Sequence, residues 1–199
     1  MNRLVLASNN KKKVAELQAL LAPLGIAVVT QGELGVSEAE EPHCTFVENA
    51  LVKARHAALA TGLPALADDS GLCVDALGGA PGVISARYAG EPKSDARNND
   101  KLLADLAAIP AGAGRRAHFA CVLVLVRGAD DPQPIIAEGN CPGEILTAPR
   151  GAGGFGYDPL FWLPDFDQSM AELEPAAKNR ISHRGRAMAL LVERLARAG

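Results

Sequence analysis

Short apolar runs and helical apolar stripes take turns along this chain. Leu4 to Ala7 reads as a buried strand, and Val14, Leu17, Leu20, Leu21 and Leu24 then recur at helical spacing until Gly25 stops the helix. Ile26 to Thr30 is a second strand. Thr45 and Glu48 have the spacing of a capping box and predict a helix from Phe46 to about Thr61, ended by Gly62. Ala65 to Asp68 and Leu72 to Asp75 read as two strands around a Ser70-Gly71 turn, and the glycine-rich loop Gly78 to Gly82 follows. A helix is predicted over Asp95 to Ala108. Ala117 to Val126 and Pro134 to Glu138 flank the turn-rich Gly128-Ala-Asp-Asp-Pro132 and predict a long antiparallel hairpin. Ser182 is placed to cap a last helix with Ala187, Leu190, Leu191, Val192 and Leu195 at its apolar positions. Early alternation of helix and strand with a late hairpin predicts α/β with a mixed sheet rather than an all-parallel one.

At 199 residues with 48% hydrophobic and 22% charged positions, the chain suits one domain, or two lobes sharing a core, and excludes wholesale disorder. The longest apolar run, Cys121 to Val126, is far short of the ~20 residues of a membrane span. Met1 to Ala7 is too short an apolar stretch for a signal peptide. The four cysteines, Cys44, Cys73, Cys121 and Cys141, are far apart and form no CxxC pair, so they read as reduced thiols of a cytoplasmic protein. A net charge of -3 argues against a general nucleic-acid coat.

Four segments carry candidate chemistry. Ser8-Asn9-Asn10-Lys11-Lys12-Lys13 sits between the first strand and the first helix, where three lysines oppose the helix dipole. Free backbone N–H groups, small polar side chains and ammonium groups there suit a phosphate chain; a solvated basic helix start is the alternative. The stretch from Glu33 to Glu48 carries five glutamates, Glu33, Glu38, Glu40, Glu41 and Glu48, and no Lys or Arg, a composition usual for a solvated face. Asp68 and Asp69 follow the apolar Leu63-Pro-Ala-Leu-Ala67. A regular strand would turn only one of these carboxylates to a given side, and the Ser-Gly turn relaxes that restriction. Glu41 and Asp69 suffice for magnesium, which takes one or two carboxylates and completes its shell with phosphate and water. The alternative makes Asp68 and Asp69 turn residues bonded to nearby backbone.

The other two segments lie later. Five of the eight aromatic residues, Phe155, Tyr157, Phe161, Trp162 and Phe166, fall within twelve positions after Gly151-Ala-Gly-Gly154. Ordinary core packing accounts for much of this cluster, but Gly156-Tyr157-Asp158-Pro159 suits a planar base that stacks while backbone N–H groups approach its edge. Lys178 and Ser182-His183-Arg184 place basic groups at the last helix's start and suit a ligand rich in acceptors.

With these segments in place, the chain resembles the inosine/xanthosine triphosphate pyrophosphatase family over nearly its whole length. The resemblance runs through Ala7-Ser-Asn-Asn-Lys-Lys-Lys13, Glu40-Glu41, Phe46-Val-Glu-Asn-Ala50, Lys53-Ala-Arg55 and Ala67-Asp-Asp-Ser-Gly-Leu72. It continues through Gly78-Gly-Ala-Pro-Gly82, Ser85-Ala-Arg-Tyr88, Gly153-Gly-Phe-Gly-Tyr-Asp-Pro159 and Ser182-His-Arg-Gly185. Asn9 departs from the glycine often found there, and asparagine tolerates the left-handed backbone a phosphate loop would need.

The resemblance implies a single domain over residues 1–199, an elongated mixed sheet with flanking helices and two lobes around a central cleft, and a homodimer. It also implies Mg²⁺-dependent conversion of ITP, dITP and XTP to the monophosphate and pyrophosphate, with no nucleic-acid or membrane partner. By position, Ser8, Asn9, Asn10, Lys11, Lys12 and Lys13 would hold phosphates. Glu41 and Asp69 would hold metal, with Asp69 as proton acceptor, Asp68 beside it and Lys53 facing the same site. Ser70, Phe155, Gly156, Tyr157, Asp158, Lys178, His183 and Arg184 would bind substrate, the last group toward the base. Two rivals stand beside this reading: a related pyrophosphatase of the septum-inhibitor type, preferring pyrimidine triphosphates, and a nucleotide-sensing or RNA-binding module without turnover.

Overall fold

The structure, a computed structural model, describes residues 3–198, without the side chains of Leu24, Ala113 and Ala198. Met1, Asn2 and the Leu24 side chain, all used in the sequence reading, therefore lie outside the described residues. Seven strands, β1 (Arg3–Leu6), β2 (Ala27–Thr30), β3 (Ala65–Val74), β4 (Arg116–Val126), β5 (Ile135–Ile145), β6 (Phe161–Leu163) and β7 (Gln168–Ser169), form an open sheet in the order β2-β1-β3-β4-β5-β6-β7. β1 runs parallel to β2 and β3, whereas β5, β6 and β7 are antiparallel neighbours, so the sheet is mixed as expected. Five helices accompany it: α1 (Lys11–Leu21), α2 (Phe46–Thr61), α3 (Asp95–Asp105), α4 (Pro175–Ile181) and α5 (His183–Ala198).

The chain divides into two compact units. The first comprises the chain up to Asp69, Cys121–Gly139 and the chain from Arg184; the second comprises Ser70–Ala120 and Asn140–His183. In the first unit the period of two along each strand sorts residues onto two cores. Leu4, Leu6, Leu66, Cys121, Leu123 and Leu125 pack with Leu17 and Leu21 of α1 and Ala187, Met188 and Leu191 of α5. The alternate residues Val5, Ala7, Ala65, Ala67, Val122, Val124 and Val126 pack on the alanine stripe of α2, Ala50, Ala54, Ala57 and Ala58. The second unit has its own core, built from Leu72, Val74, Phe119, Cys141, Tyr157 and Phe161 with Leu102 and Leu106.

Helix α2 has the predicted bounds. Thr45 Oγ1 accepts from the Glu48 N–H and its hydroxyl donates to the Glu48 carboxylate at 2.5 Å, while Gly62 closes the helix at φ 67°. Other elements correct the sequence reading. Helix α1 ends at Leu21, and residues Ala22–Leu24 tighten into a 3-10 turn, because Pro23 cannot continue an α-helical hydrogen-bond ladder. Helix α3 stops at Asp105 rather than Ala108, where the Ala107 and Ile109 N–H groups bond only three residues back and Pro110 follows. β5 continues seven residues past Glu138, pairing Glu144 and Ile145 with β6. No Ser70-Gly71 turn exists: β3 is one strand of ten residues, since breaking it there would strip the fully buried Leu72 and Val74 from the sheet.

Candidate active site

The unbroken β3 decides how the two aspartates are used. Asp68 shares the face of Leu66, toward α1 and α5, while Asp69 shares the face of Ala67, toward α2. Lys13 Nζ lies 2.6 Å from Asp68 Oδ1, Arg184 Nε lies 3.1 Å from Asp68 Oδ2, and the Cys121 thiol donates to the same oxygen at 3.2 Å. Arg184, buried itself, also reaches Glu16 of α1. Burial works against the Asp68 charge, but Lys13, Arg184 and Lys53 outweigh it and hold the carboxyl well below its ordinary 3.8.

Asp69 behaves differently. Its Oδ1 accepts from Lys53 Nζ at 2.9 Å, and its Oδ2 is buried with no hydrogen-bond partner. Burial pushes its pKa above 3.8 despite the pull of Lys53. Lys53 projects from α2 and also lies 3.1 Å from Glu41 Oε1. Burial disfavours the Lys53 ammonium, yet Asp69, Glu41 and Asp68 together raise its pKa. Glu41 sits on an irregular segment fastened to α2 at two points. The buried Asn49 amide takes the His43 N–H and donates to the His43 carbonyl, each at 3.1 Å, and His56 Nε2 lies 2.9 Å from the Ser37 carbonyl.

Among the described residues no three His, Cys, Asp or Glu side chains cluster as a metal cage. Glu41 and Asp69 share the Lys53 ammonium, and one Asp69 oxygen has no bond. That sparse carboxylate set fits a hard divalent cation whose remaining ligands come from phosphate and water.

The lysine loop is more occupied than its sequence implies. Asn10 caps α1, its Oδ1 accepting from the Lys12 and Lys13 N–H groups at 3.1 and 3.2 Å, and Ser8 Oγ accepts from the Asn10 N–H. The Asn10, Lys12 and Lys13 N–H groups are therefore engaged within the loop; Lys11 and Lys12 are exposed, and Ser8 and Lys13 are half-buried. Asn9 needs no left-handed backbone, because Asp167 is the only described non-glycine residue with positive φ.

In the second unit, Asp158 Oδ2 accepts from both the Phe155 N–H and the Lys178 ammonium at 2.8 Å, and that ammonium lies 4.7 Å from the Phe155 ring centre. The Gly156 N–H donates to Asp95 at 2.9 Å and its carbonyl accepts from Asn99 at 3.0 Å. Two backbone donors expected to face a base are thus taken by carboxylates, and the Lys178 ammonium is itself held by Asp158. The Tyr157 hydroxyl donates to the Ser85 carbonyl at 2.8 Å, and burial pushes its pKa up. His183 stacks on Phe119 at 4.8 Å and 17°. Gly154, at φ 70°, lies so close to Asp158 that a Cβ would overlap the carboxylate. Ser70 is half-buried on β3 in this unit. Arg184, by contrast, belongs to the first unit, committed to Asp68 and Glu16. Sequence reasoning missed Glu16, Asn49, Asp95, Asn99 and Cys121. Only Asn49 had a local signal, within the Phe46-Val-Glu-Asn-Ala50 motif.

Fold and side chains together define a mixed-sheet α/β protein with a buried acid–lysine cluster in one unit and an aromatic–lysine cluster in the other. The chain belongs to the Ham1 family, whose model matches residues 4–194. It is 66% identical over 198 residues to a dITP/XTP pyrophosphatase of Ralstonia nicotianae, covering 98% of this chain and 97% of that one. It is 63% identical to the dITP/XTP pyrophosphatase of Nitrosomonas europaea over 98% of this chain and 95% of that one. A solved HAM1 protein from Coxiella burnetii superposes with a TM-score of 0.91 at 50% identity, over 99% of this chain and 100% of that one.

Proposed function

We propose that this protein hydrolyses the deaminated purine nucleoside triphosphates dITP, XTP and ITP to the monophosphate and pyrophosphate, with Mg²⁺. The observation that carries the reading is Asp69: a buried carboxylate held by Lys53 through one oxygen, its other oxygen unbonded, and its pKa raised. Such a group can orient a water molecule and take its proton as the water oxygen attacks the α-phosphorus. The bond from that phosphorus to the α–β bridging oxygen breaks, and the bridging oxygen leaves with pyrophosphate. Positioned general-base help of this kind supplies about 10²–10⁴ in rate. Glu41 and Asp69 would hold the magnesium, which when bound neutralises phosphate charge. Lys11, Lys12 and Lys13, with Ser8, Asn9 and Asn10, are assigned to the phosphates, and Lys53 keeps Asp69 in place. Asp68 is assigned to structure rather than proton transfer, because each of its oxygens already faces a cation.

Base selection is assigned to Phe155, Gly156, Tyr157, Asp158, Lys178 and His183, with Ser70 beside the sugar or phosphates. Hypoxanthine and xanthine carry an acceptor at position 6, where adenine carries a donor. Lys178 is a donor only, so adenine would set donor against donor, and mismatches of this kind are rejected by about 10⁴ or more in sites built around one pattern. The cytoplasmic homodimer without a nucleic-acid partner rests on the family likeness. Among the described residues no helix is long and apolar enough to cross a membrane.

Pyrophosphate release from dITP, XTP, ITP, ATP, GTP, CTP and dTTP, with and without Mg²⁺, tests the proposal. Turnover of the deaminated purines far above ATP, and only with the metal, is the expected result. Preference for pyrimidines would favour the septum-inhibitor-type reading, and no turnover of any substrate would favour a binding module.

A further inference from the structure

Helix α3 carries no residue of the proposed reaction, yet three of its polar side chains reach out to backbone elsewhere in the second unit. Ser94 caps it, accepting from the Arg97 N–H, and Leu102 anchors it in that unit's core. Asp95 takes the Gly156 N–H at 2.9 Å, and Asn99 donates to the Gly156 carbonyl at 3.0 Å. Four residues apart, the two lie on one helix face. Between them Asn98, buried, donates to the Ser85 and Ala86 carbonyls and accepts from the Ala89 N–H at 2.8 Å. The Ser85 carbonyl also receives the Tyr157 hydroxyl. Both polar backbone groups of Gly156 and the side chain of its successor are therefore referred to α3.

We propose that Asp95 and Asn99 are positioning residues that set base specificity by fixing Gly156. The inference rests on the reading of Phe155 to Asp158 and Lys178 as the base site. Gly156 lies between Phe155, whose ring is 4.7 Å from the Lys178 ammonium, and Asp158, which holds that ammonium at 2.8 Å. A shift of the Gly156 backbone moves the ring and the donor together. Asn99 supports this role by a cost it carries: its Oδ1 is buried without a partner, a state that disfavours asparagine on stability grounds. What the amide supplies there is its N–H to Gly156. Asp95 also sits in the first turn of α3, where its charge suits the helix dipole.

The test uses the full-length protein and steady-state kinetics on ITP and ATP, with thermal melting as the fold check. In Asp95→Ala, Asn99→Ala and the double variant, KM for ITP rises more than kcat falls. The ITP-to-ATP ratio of kcat/KM drops about tenfold or more in the double variant, the scale expected when a reacting group is misplaced by a fraction of an ångström. Asp95→Asn, whose amide oxygen can still accept from Gly156, stays within about twofold of the parent. A folded double variant with an unchanged ratio overturns the proposal, as does Asp95→Asn failing as badly as Asp95→Ala. If the parent protein itself shows no preference for ITP over ATP, the base-site reading falls first and takes this inference with it. If the double variant does not fold, the two single variants decide by the same ratio.

Discussion

Asp68 and Asp69 are neighbours in sequence but belong to opposite faces of β3: one meets Lys13 and Arg184, the other meets Lys53. The two cores of the first unit impose this division, because Leu66 and Ala67 must point into different layers. Two adjacent carboxylates, buried under opposite pressures, emerge with pKa values displaced in opposite directions.

The aspartates should therefore respond oppositely to neutralisation. Asp68→Asn removes the partner of two buried cations and should cost about 3–5 kcal/mol of stability, lowering the melting temperature. Asp69→Asn relieves a carboxylate whose ionised form burial disfavours, and leaves Lys53 its contact with Glu41. It should melt at or above the parent temperature in the metal-free protein while losing about 10²–10⁴ in turnover. Differential scanning calorimetry with EDTA, paired with kinetics, reads both effects.

The pH dependence of stability follows from Asp68. Its pKa in the folded protein lies well below the 3.8 of the unstructured chain, so its stabilisation is fully present above about that pH. As the pH falls through the folded value the contribution disappears. Urea melts from pH 7 down to about pH 2 should show an acid-side loss that sets in near 3.8 in the parent and a shallower one in Asp68→Asn.

Asn49 controls the Glu41 segment without touching its carboxylate. Asn49→Leu deletes both bonds to His43 and leaves that backbone unsatisfied in a half-buried place. Weaker Mn²⁺ binding by about tenfold, measured by electron paramagnetic resonance without substrate, is the expected outcome for a ligand whose supporting bonds are removed.

Gly154→Ala addresses the second unit. A methyl group there overlaps the Asp158 carboxylate on a backbone at φ 70°, so Asp158 must move and loosen its hold on Lys178 and on the Phe155 N–H. KM for ITP should rise by about tenfold or more, with kcat less affected.

Local chemistry made much of this legible in the sequence. Thr45 and Gly62 bound α2 because caps act within a few residues, and the apolar runs located β1, β2 and β4. What local patterns could not carry was decided by distant partners. Ser70 and Gly71 look like a turn until Leu72 and Val74 are needed in the second unit's core. The N–H groups of Lys12 and Lys13 look available until Asn10 turns back to cap them. Arg184 looks like a ligand group beside His183, and its pairing with Asp68, 116 residues earlier in the chain, has no local signal. Asp95 and Asn99 gave no signal, because their partner is a glycine backbone in another element.

The central claim is that water activated at Asp69 attacks the α-phosphorus. Mass spectrometry of the chromatographically separated products formed from dITP in H₂¹⁸O tests it most directly. The account predicts dIMP carrying the label, together with unlabelled pyrophosphate, and a comparable product yield from Asp69→Asn only after at least about 10² longer incubation. Formation of dIDP and labelled orthophosphate, or an Asp69→Asn variant as fast as the parent, would contradict it.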